Sequence, residues 1–253
     1  MASGRSAKIM AMTPDEAAAE IARPIGSIGA RFMFDPGTYA AAAEHGYSGL
    51  DFYFAGRCGV LGDAHADVAT AALGFFERDT VATLWNQGIA VEGAAQASQR
   101  FGAACGEWGR THFGADIDYA ELCELADRVI AAAPIAGVSL FAGWRQVEPP
   151  SDDKGGAAHR LNLLREFRGG VHLIAVISAG VLPFEAVLAK GGPANAQLFG
   201  YSEPYPDVSH LAAVLDEVEE TTNLLAGAPL AVLDDGERQR FVDLVAATRA
   251  GLT

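Results

Sequence analysis

Residues 157–185, AAHRLNLLREFRGGVHLIAVISAGVLPFE, set the strongest constraint on how this chain folds. Their apolar residues recur at helical spacing, so the segment has to sit inside a protein, yet it carries His159, Arg165, Glu166, Arg168 and His172. A charge buried without a partner is unfavourable by several kcal/mol or more. These five side chains must therefore be hydrogen-bonded to one another, to water or to a ligand. Any chemistry the chain performs is expected here.

Helix start and stop signals surround this segment, with little competition from strand patterns. Thr13-Pro14-Asp15-Glu16 is a capping box with proline at the first helical position, opening an alanine-rich helix expected to end before Pro24. Further helices are expected over 36–45, 50–57, 63–76, 79–87 and 91–108, and from the capping residue Asp118 to Ala133. The stretch Glu148 to Gly156 reads as a linker. Beyond it come a helix over 157–168, a break or bend at Gly169-Gly170, a buried helix over 171–181 and a turn-rich stretch over 191–206. Amphipathic helices over 209–226 and 235–250 follow. The expected fold is all-α: a two-part helical bundle, with an Ala-rich part over 1–148 and a C-terminal helical subdomain over 149–253.

Half of the 253 residues are apolar, enough for a sizeable core. The formal net charge of −14 opposes binding to a polyanion, and the densest basic segment, Arg160, Arg165 and Arg168, is interleaved with Glu166 and with leucines. Nucleic acid is not an expected partner. No apolar run is long enough to cross a bilayer, and the opening MASGRSAKIMAM lacks the apolar core of a secretory signal, so no membrane partner is expected and a cytoplasmic location is. Cys58, Cys105 and Cys123 match neither a zinc module nor a disulfide framework and read as reduced, mostly buried side chains. His112, Asp116 and Asp118 form a weak metal-ligand trio that helix capping explains equally well, and no metal site is expected.

Two readings of Arg165, Glu166, Arg168 and His172 stand side by side. One is an anion or carbonyl clamp, with His172 as acid, base or ligand and Glu166 orienting it; the other is an internal ion-pair network tying helices together. Arg57, which follows Phe52, Tyr53 and Phe54, is placed to reach Glu166, Glu185 or an acidic ligand. Phe32, Phe34, Tyr39, Phe52, Tyr53, Phe54, Phe75, Phe76 and Trp85 concentrate in the first half. In an alanine-padded bundle, aromatics that cannot all meet one another line cavities.

The leading expectation is a binder of a small, largely apolar, natural-product-like molecule. Tyr53, Phe54, Arg57, His159, Arg165, Arg168 and Glu185 would form its pocket. The alternative is an enzyme of specialised metabolism using His172 and Glu166. The cofactor stays open, because a single axial histidine, His172 or His159, would hold haem without leaving a motif. A homodimer is expected.

Tyr53-Phe54-Ala55-Gly56-Arg57 followed by Leu61-Gly62 resembles a family of actinobacterial proteins labelled helix-turn-helix-like, EvbL-like or SalK-like. So does His159 followed by Leu164-Arg165-Glu166, Arg168-Gly169 and His172, with Glu185 beyond. The resemblance covers most of the chain and rests on a YFAGR-type segment and an LREHRGDGH-type segment. Phe167 and Gly170 stand where that pattern has a histidine and an aspartate. The resemblance also implies a winged-helix-like insert before the last two helices. This chain passes from Gly200-Tyr201 through Pro204 and Pro206 almost directly into the penultimate helix. The C-terminal part is therefore expected to be a degenerate helix-turn-helix-like subdomain without a recognition helix, making DNA binding the least favoured function.

Overall fold

The computed structural model describes residues 11–253, so the reading of residues 1–10 as no secretory signal lies outside the described residues. Among these the chain is helical without a strand. In chain order the helices are α1 (Pro14–Met33), α2 (Pro36–Ala43), α3 (Leu50–Cys58), α4 (Ala66–Leu73), α5 (Arg78–Glu92) and α6 (Ala94–His112). They continue as α7 (Tyr119–Ala132), α8 (Ser139–Trp144), α9 (Asp153–Ser178), α10 (Pro183–Leu198), α11 (Ala212–Gly227) and α12 (Asp235–Ala250).

The 26-residue α9 is the axis of the fold. Asp152 caps it, its carboxylate accepting from the Gly155 amide at 2.9 Å. Around it pack α1, α6, α7, α8 and α11, while α3 lies on α5 and α6, and α12 closes against α1 and α7. The approach of α6 to α9 depends on Gly109, where a Cβ would stand 2.5 Å from that of Ala158. Helix α10 leaves α9 at a bend of 108°. No single described helix is long and apolar enough to cross a membrane.

The main core joins aromatic side chains in edge-to-face and tilted contacts. Phe32 meets Phe101 with ring centroids 4.9 Å apart, and Phe101 in turn meets Phe52 at 5.5 Å and Trp144 at 6.0 Å. Its buried residues run from Ala17 through Trp144 to Leu161, Leu164, Phe241 and Val245, so one continuous core crosses the expected 148/149 boundary. Asp152 and the first turn of α9 occupy the stretch read as a linker. A smaller cluster joins the end of α9 to α10 and α11 through Val176, Val181, Ala186, Leu211 and Val218. All three cysteines are free thiols, and burial pushes those of Cys58 and Cys105 up to about 12.

Three boundaries correct the sequence reading, each because packing overrides a local breaker. Helix α1 does not end before Pro24 but runs to Met33. A mid-helix proline costs about 3 kcal/mol, but Ile21, Ile25, Ile28 and Phe32 are all buried along one stripe, and their burial offsets it. Gly169-Gly170 does not interrupt α9, which stays helical through both. The turn-rich stretch at 191–206 is helical as far as Leu198, kinked where Gly192 adopts φ 69°.

Candidate functional site

Helices α3 and α9 meet through one buried ion pair. The Arg57 guanidinium donates to both Glu166 oxygens, from Nε at 2.7 Å and from Nη2 at 2.8 Å, and its Nη1 donates to the Tyr53 hydroxyl at 2.6 Å. Tyr53 and Arg57 are four residues apart on α3, one helical turn, which brings both to the same face. Arg165 donates a further bond to Glu166 Oε1 at 3.2 Å, and the Trp144 indole N–H donates to the Arg57 carbonyl at 3.0 Å. Burial acts to raise the Glu166 carboxyl, but Arg57, then Arg165, outweigh it and hold the group below its ordinary 4.5. For Arg57 burial is likewise outweighed, by Glu166, and its pKa is raised.

Beside this pair opens a cavity of about 470 Å³. Its walls are apolar and largely aromatic: Phe34, Tyr53, Phe54, Phe75, Phe76 and Phe199, with Leu73, Leu84, Leu140 and Leu173. Its charged and imidazole lining is Arg57, Arg165, Glu166, Arg168, His172, Lys190 and Glu219. Four cations against two carboxylates leave two positive charges in excess there, inside a chain of net charge −14.

Arg168 is tied by Nη2 to Glu219 of α11, while its Nη1 is buried with no hydrogen-bond partner among the described residues. Burial lowers the pKa of this guanidinium, with Glu219 opposing. His172 Nδ1 lies 2.9 Å from the Thr222 hydroxyl, which itself donates to the Val218 carbonyl at 2.7 Å. A hydroxyl has one proton to give, so Thr222 accepts from His172 and the neutral imidazole carries its proton on Nδ1, leaving a lone pair on Nε2. The ring stacks on Phe75 at 5.6 Å. Burial lowers the His172 pKa below 6.5, Lys190 and Arg168 add to the effect, and Glu219 opposes it.

Of the residues expected to bind a ligand, Tyr53, Phe54, Arg57, Arg165 and Arg168 line this cavity, as do the expected catalytic pair His172 and Glu166. His159 and Glu185 do not. His159 is buried near Trp144, with Nε2 unpartnered among the described residues and its pKa pushed by burial down to about 4. Glu185 accepts from the Leu182 amide at 3.1 Å and caps α10. Nor does Glu166 orient His172: its oxygens are engaged by Arg57 and Arg165, and Thr222 holds the imidazole instead. Of the aromatic set, Phe32, Phe52 and Trp85 belong to the core.

The sequence reading missed Lys190, Glu219, Thr222 and Phe199. The acidic run containing Glu219 reads as a solvated helix face, and only the return of α11 along α9 brings it to Arg168. His112 stacks on Trp108 at 4.8 Å, and Asp118 caps α7 by accepting from the Glu121 amide at 2.9 Å. Among the described residues no group of three or more His, Cys, Asp or Glu side chains is placed to hold a metal ion.

Fold and site together define an all-helical protein with an aromatic-walled, cationic cavity beside its central helix. The chain belongs to the helix-turn-helix family, whose pattern matches residues 18–203. No curated protein and no solved structure matches it.

Proposed function

We propose that this protein binds a small, largely apolar, natural-product-like molecule bearing an acidic or carbonyl group. Kinship with the EvbL-like and SalK-like proteins is part of the same proposal. One observation carries it: aromatic walls and an excess of positive charge share a single cavity in a strongly acidic chain. An apolar wall with a few convergent polar groups is what a ligand needs for affinity and orientation respectively.

DNA binding, which the family description favours, is the competing reading. The distribution of charge speaks against it. Of the 18 Lys and Arg residues, Arg5 and Lys8 lie outside the described residues, and ten of the other sixteen sit in ion pairs with Asp or Glu. Nucleic-acid binding needs an exposed array of cations that the phosphates of a polymer can reach, whereas Arg57, Arg165 and Arg168 have side-chain exposures of 10%, 25% and 18% at the cavity. A second reading, an enzyme of specialised metabolism, draws support from His172, whose Nε2 lone pair is available as a base within the cavity.

Native mass spectrometry with an absorbance spectrum on protein purified from its own host, followed by turnover and DNA-shift assays on the same preparation, tests all three. A retained small organic molecule supports the binder. A Soret band lost in His172→Ala would reassign His172 as a haem ligand, and a turnover lost in the same variant would establish the enzyme. A salt-dependent shift of duplex DNA, with no retained molecule, would replace the proposal with the competing one.

A further inference from the structure

We infer that Arg165, Arg168, Gly169 and His172 of α9, with Lys190 of α10, form the seat of a doubly charged oxyanion, and that the ligand is a phosphate monoester of an apolar alcohol. The inference rests on reading the cavity as a ligand site and names the chemistry of its polar end.

Three observations carry it. The first is the shape of the stripe. Arg165, Arg168, Gly169 and His172 follow i, i+3, i+4, i+7 spacing, so they share one face of α9, and all four line the cavity with Lys190. Gly169 lies among them with no heavy atom within 4 Å of where its Cβ would stand. A helix-interior glycine is destabilising relative to alanine, and here no neighbour requires it. Its neighbour Gly170 differs, since a Cβ there would come within 2.6 Å of Val138. Gly169 thus leaves bare backbone as a floor between two arginines and a histidine. Gly26 of α1, also a cavity residue, is bare in the same way.

The second observation is charge. Arg57 is matched by Glu166 and Arg168 by Glu219, so Arg165 and Lys190 supply the two charges in excess. A carboxylate would neutralise one of them. A phosphate monoester, at about −1.5 to −2 near pH 7, neutralises both. The third is donor geometry. Arg168 Nη1 is a buried donor without a partner among the described residues, and Arg165 and Lys190 bring donors to the same cavity, more than the two oxygens of a carboxylate use in full. The His172 Nε2 lone pair accepts the remaining P–OH proton of a monohydrogen phosphate, or the ring is protonated as the dianion arrives. Glu219, Lys190 and Arg168 are the charged groups facing that ring.

The test is calorimetric titration of the full chain with decyl phosphate, decanoate, decanol and inorganic phosphate. Decyl phosphate is expected to bind about tenfold more tightly than decanoate, the difference of one charge-assisted contact, with decanol and inorganic phosphate weaker again. Lys190→Gln is expected to weaken decyl phosphate about tenfold and to leave decanol unchanged. Gly169→Ala should keep or raise the melting temperature while weakening decyl phosphate more than decanol. NMR of His172 should show its pKa rising when decyl phosphate binds. If decanoate binds as tightly as decyl phosphate, the seat takes a single charge and the phosphate inference is wrong; if decanol does, there is no anion seat; in both cases the cavity reading stands. Inorganic phosphate binding as well as decyl phosphate would remove the apolar tail from the inference. Should none of the four bind, the cavity reading itself fails.

Discussion

Replacing Glu166 by glutamine tests the ion pair on which the site is built. The carboxylate has 1% side-chain exposure and Arg57 has 10%, and two bonds of 2.7 and 2.8 Å join them. Glutamine keeps the shape and one acceptor but removes the charge. Arg57 has no escape by deprotonation, because arginine stays charged throughout the accessible pH range. It would be left as a buried cation facing an amide. Breaking a buried pair from one side costs about 3–5 kcal/mol, whereas exchanging both partners for apolar groups of similar volume is often neutral or stabilising.

Urea unfolding followed by circular dichroism at pH 7 should therefore place Glu166→Gln about 3–5 kcal/mol below the parent, and the double variant Arg57→Met/Glu166→Leu well above that single variant. The difference is also pH-dependent, with a definite sign. The folded-state pKa of Glu166 lies below its ordinary 4.5, so its contribution is fully present above about pH 4.5. It is lost as pH falls through the lower folded-state value, and the gap between parent and variant should shrink in acid. A Glu166→Gln protein within about 1 kcal/mol of the parent at pH 7 would refute the reasoning, since Arg57 would then have to be hydrated through the cavity.

Adjacent glycines on α9 should respond oppositely to alanine. Gly169→Ala is expected to gain up to about 1 kcal/mol from helix propensity, while Gly170→Ala, forced against Val138 at 2.6 Å, should lose about 1–3 kcal/mol, both read from thermal unfolding. Equal responses would mean that α9 shifts to absorb the methyl group. The folded-state pKa of His159, about 4, lies below its ordinary 6.5, so its contribution is present above pH 6.5 and is lost as pH falls toward 4. The loss should amount to roughly 3 kcal/mol, and denaturation across that range should show a shallower pH slope in His159→Leu. The same slope in both proteins would show that His159 is not the group responsible. Nitrogen-15 shifts of His172 should report the neutral tautomer protonated on Nδ1 at pH 7; protonation on Nε2 would show that Thr222 is the donor to the ring.

How much of this was legible in the sequence depended on the range of the interaction concerned. Helix starts governed by local bonds were readable: Thr13 with Glu16 at α1 and Asp118 at α7 cap as their side chains require. Pro24 and Gly169-Gly170 were misread because each is a local breaker outweighed by contacts that a linear reading does not show. The Ile21, Ile25, Ile28 and Phe32 spacing held the needed signal for α1. In the site, the reach of Arg57 to Glu166 could be anticipated, because both are charges in apolar surroundings and must find a partner. Thr222 could not be, since it lies 50 residues beyond His172 on a helix whose acidic character points to solvent.

The position of the polar end follows from how the arginines are used. Of the partners expected for Arg57, Glu166, Glu185 or an acidic ligand, the structure gives Glu166: its Nε, Nη1 and Nη2 are engaged by Glu166 and Tyr53, so it fixes α3 to α9 and frames the cavity. In the proposed binder, ligand recognition would fall to the outer stripe of α9. The same division accounts for Phe167 and Gly170, which do not line the cavity's charged stripe but meet α8. Phe167 is buried against Phe141 of α8 at 5.0 Å between ring centroids, and Gly170 admits Val138 at the entry to the same helix. Both residues serve the packing of α8 on α9. Arg165, Glu166, Arg168 and His172 face the cavity instead, so α9 divides its residues between a packing face toward α8 and a charged face toward the cavity.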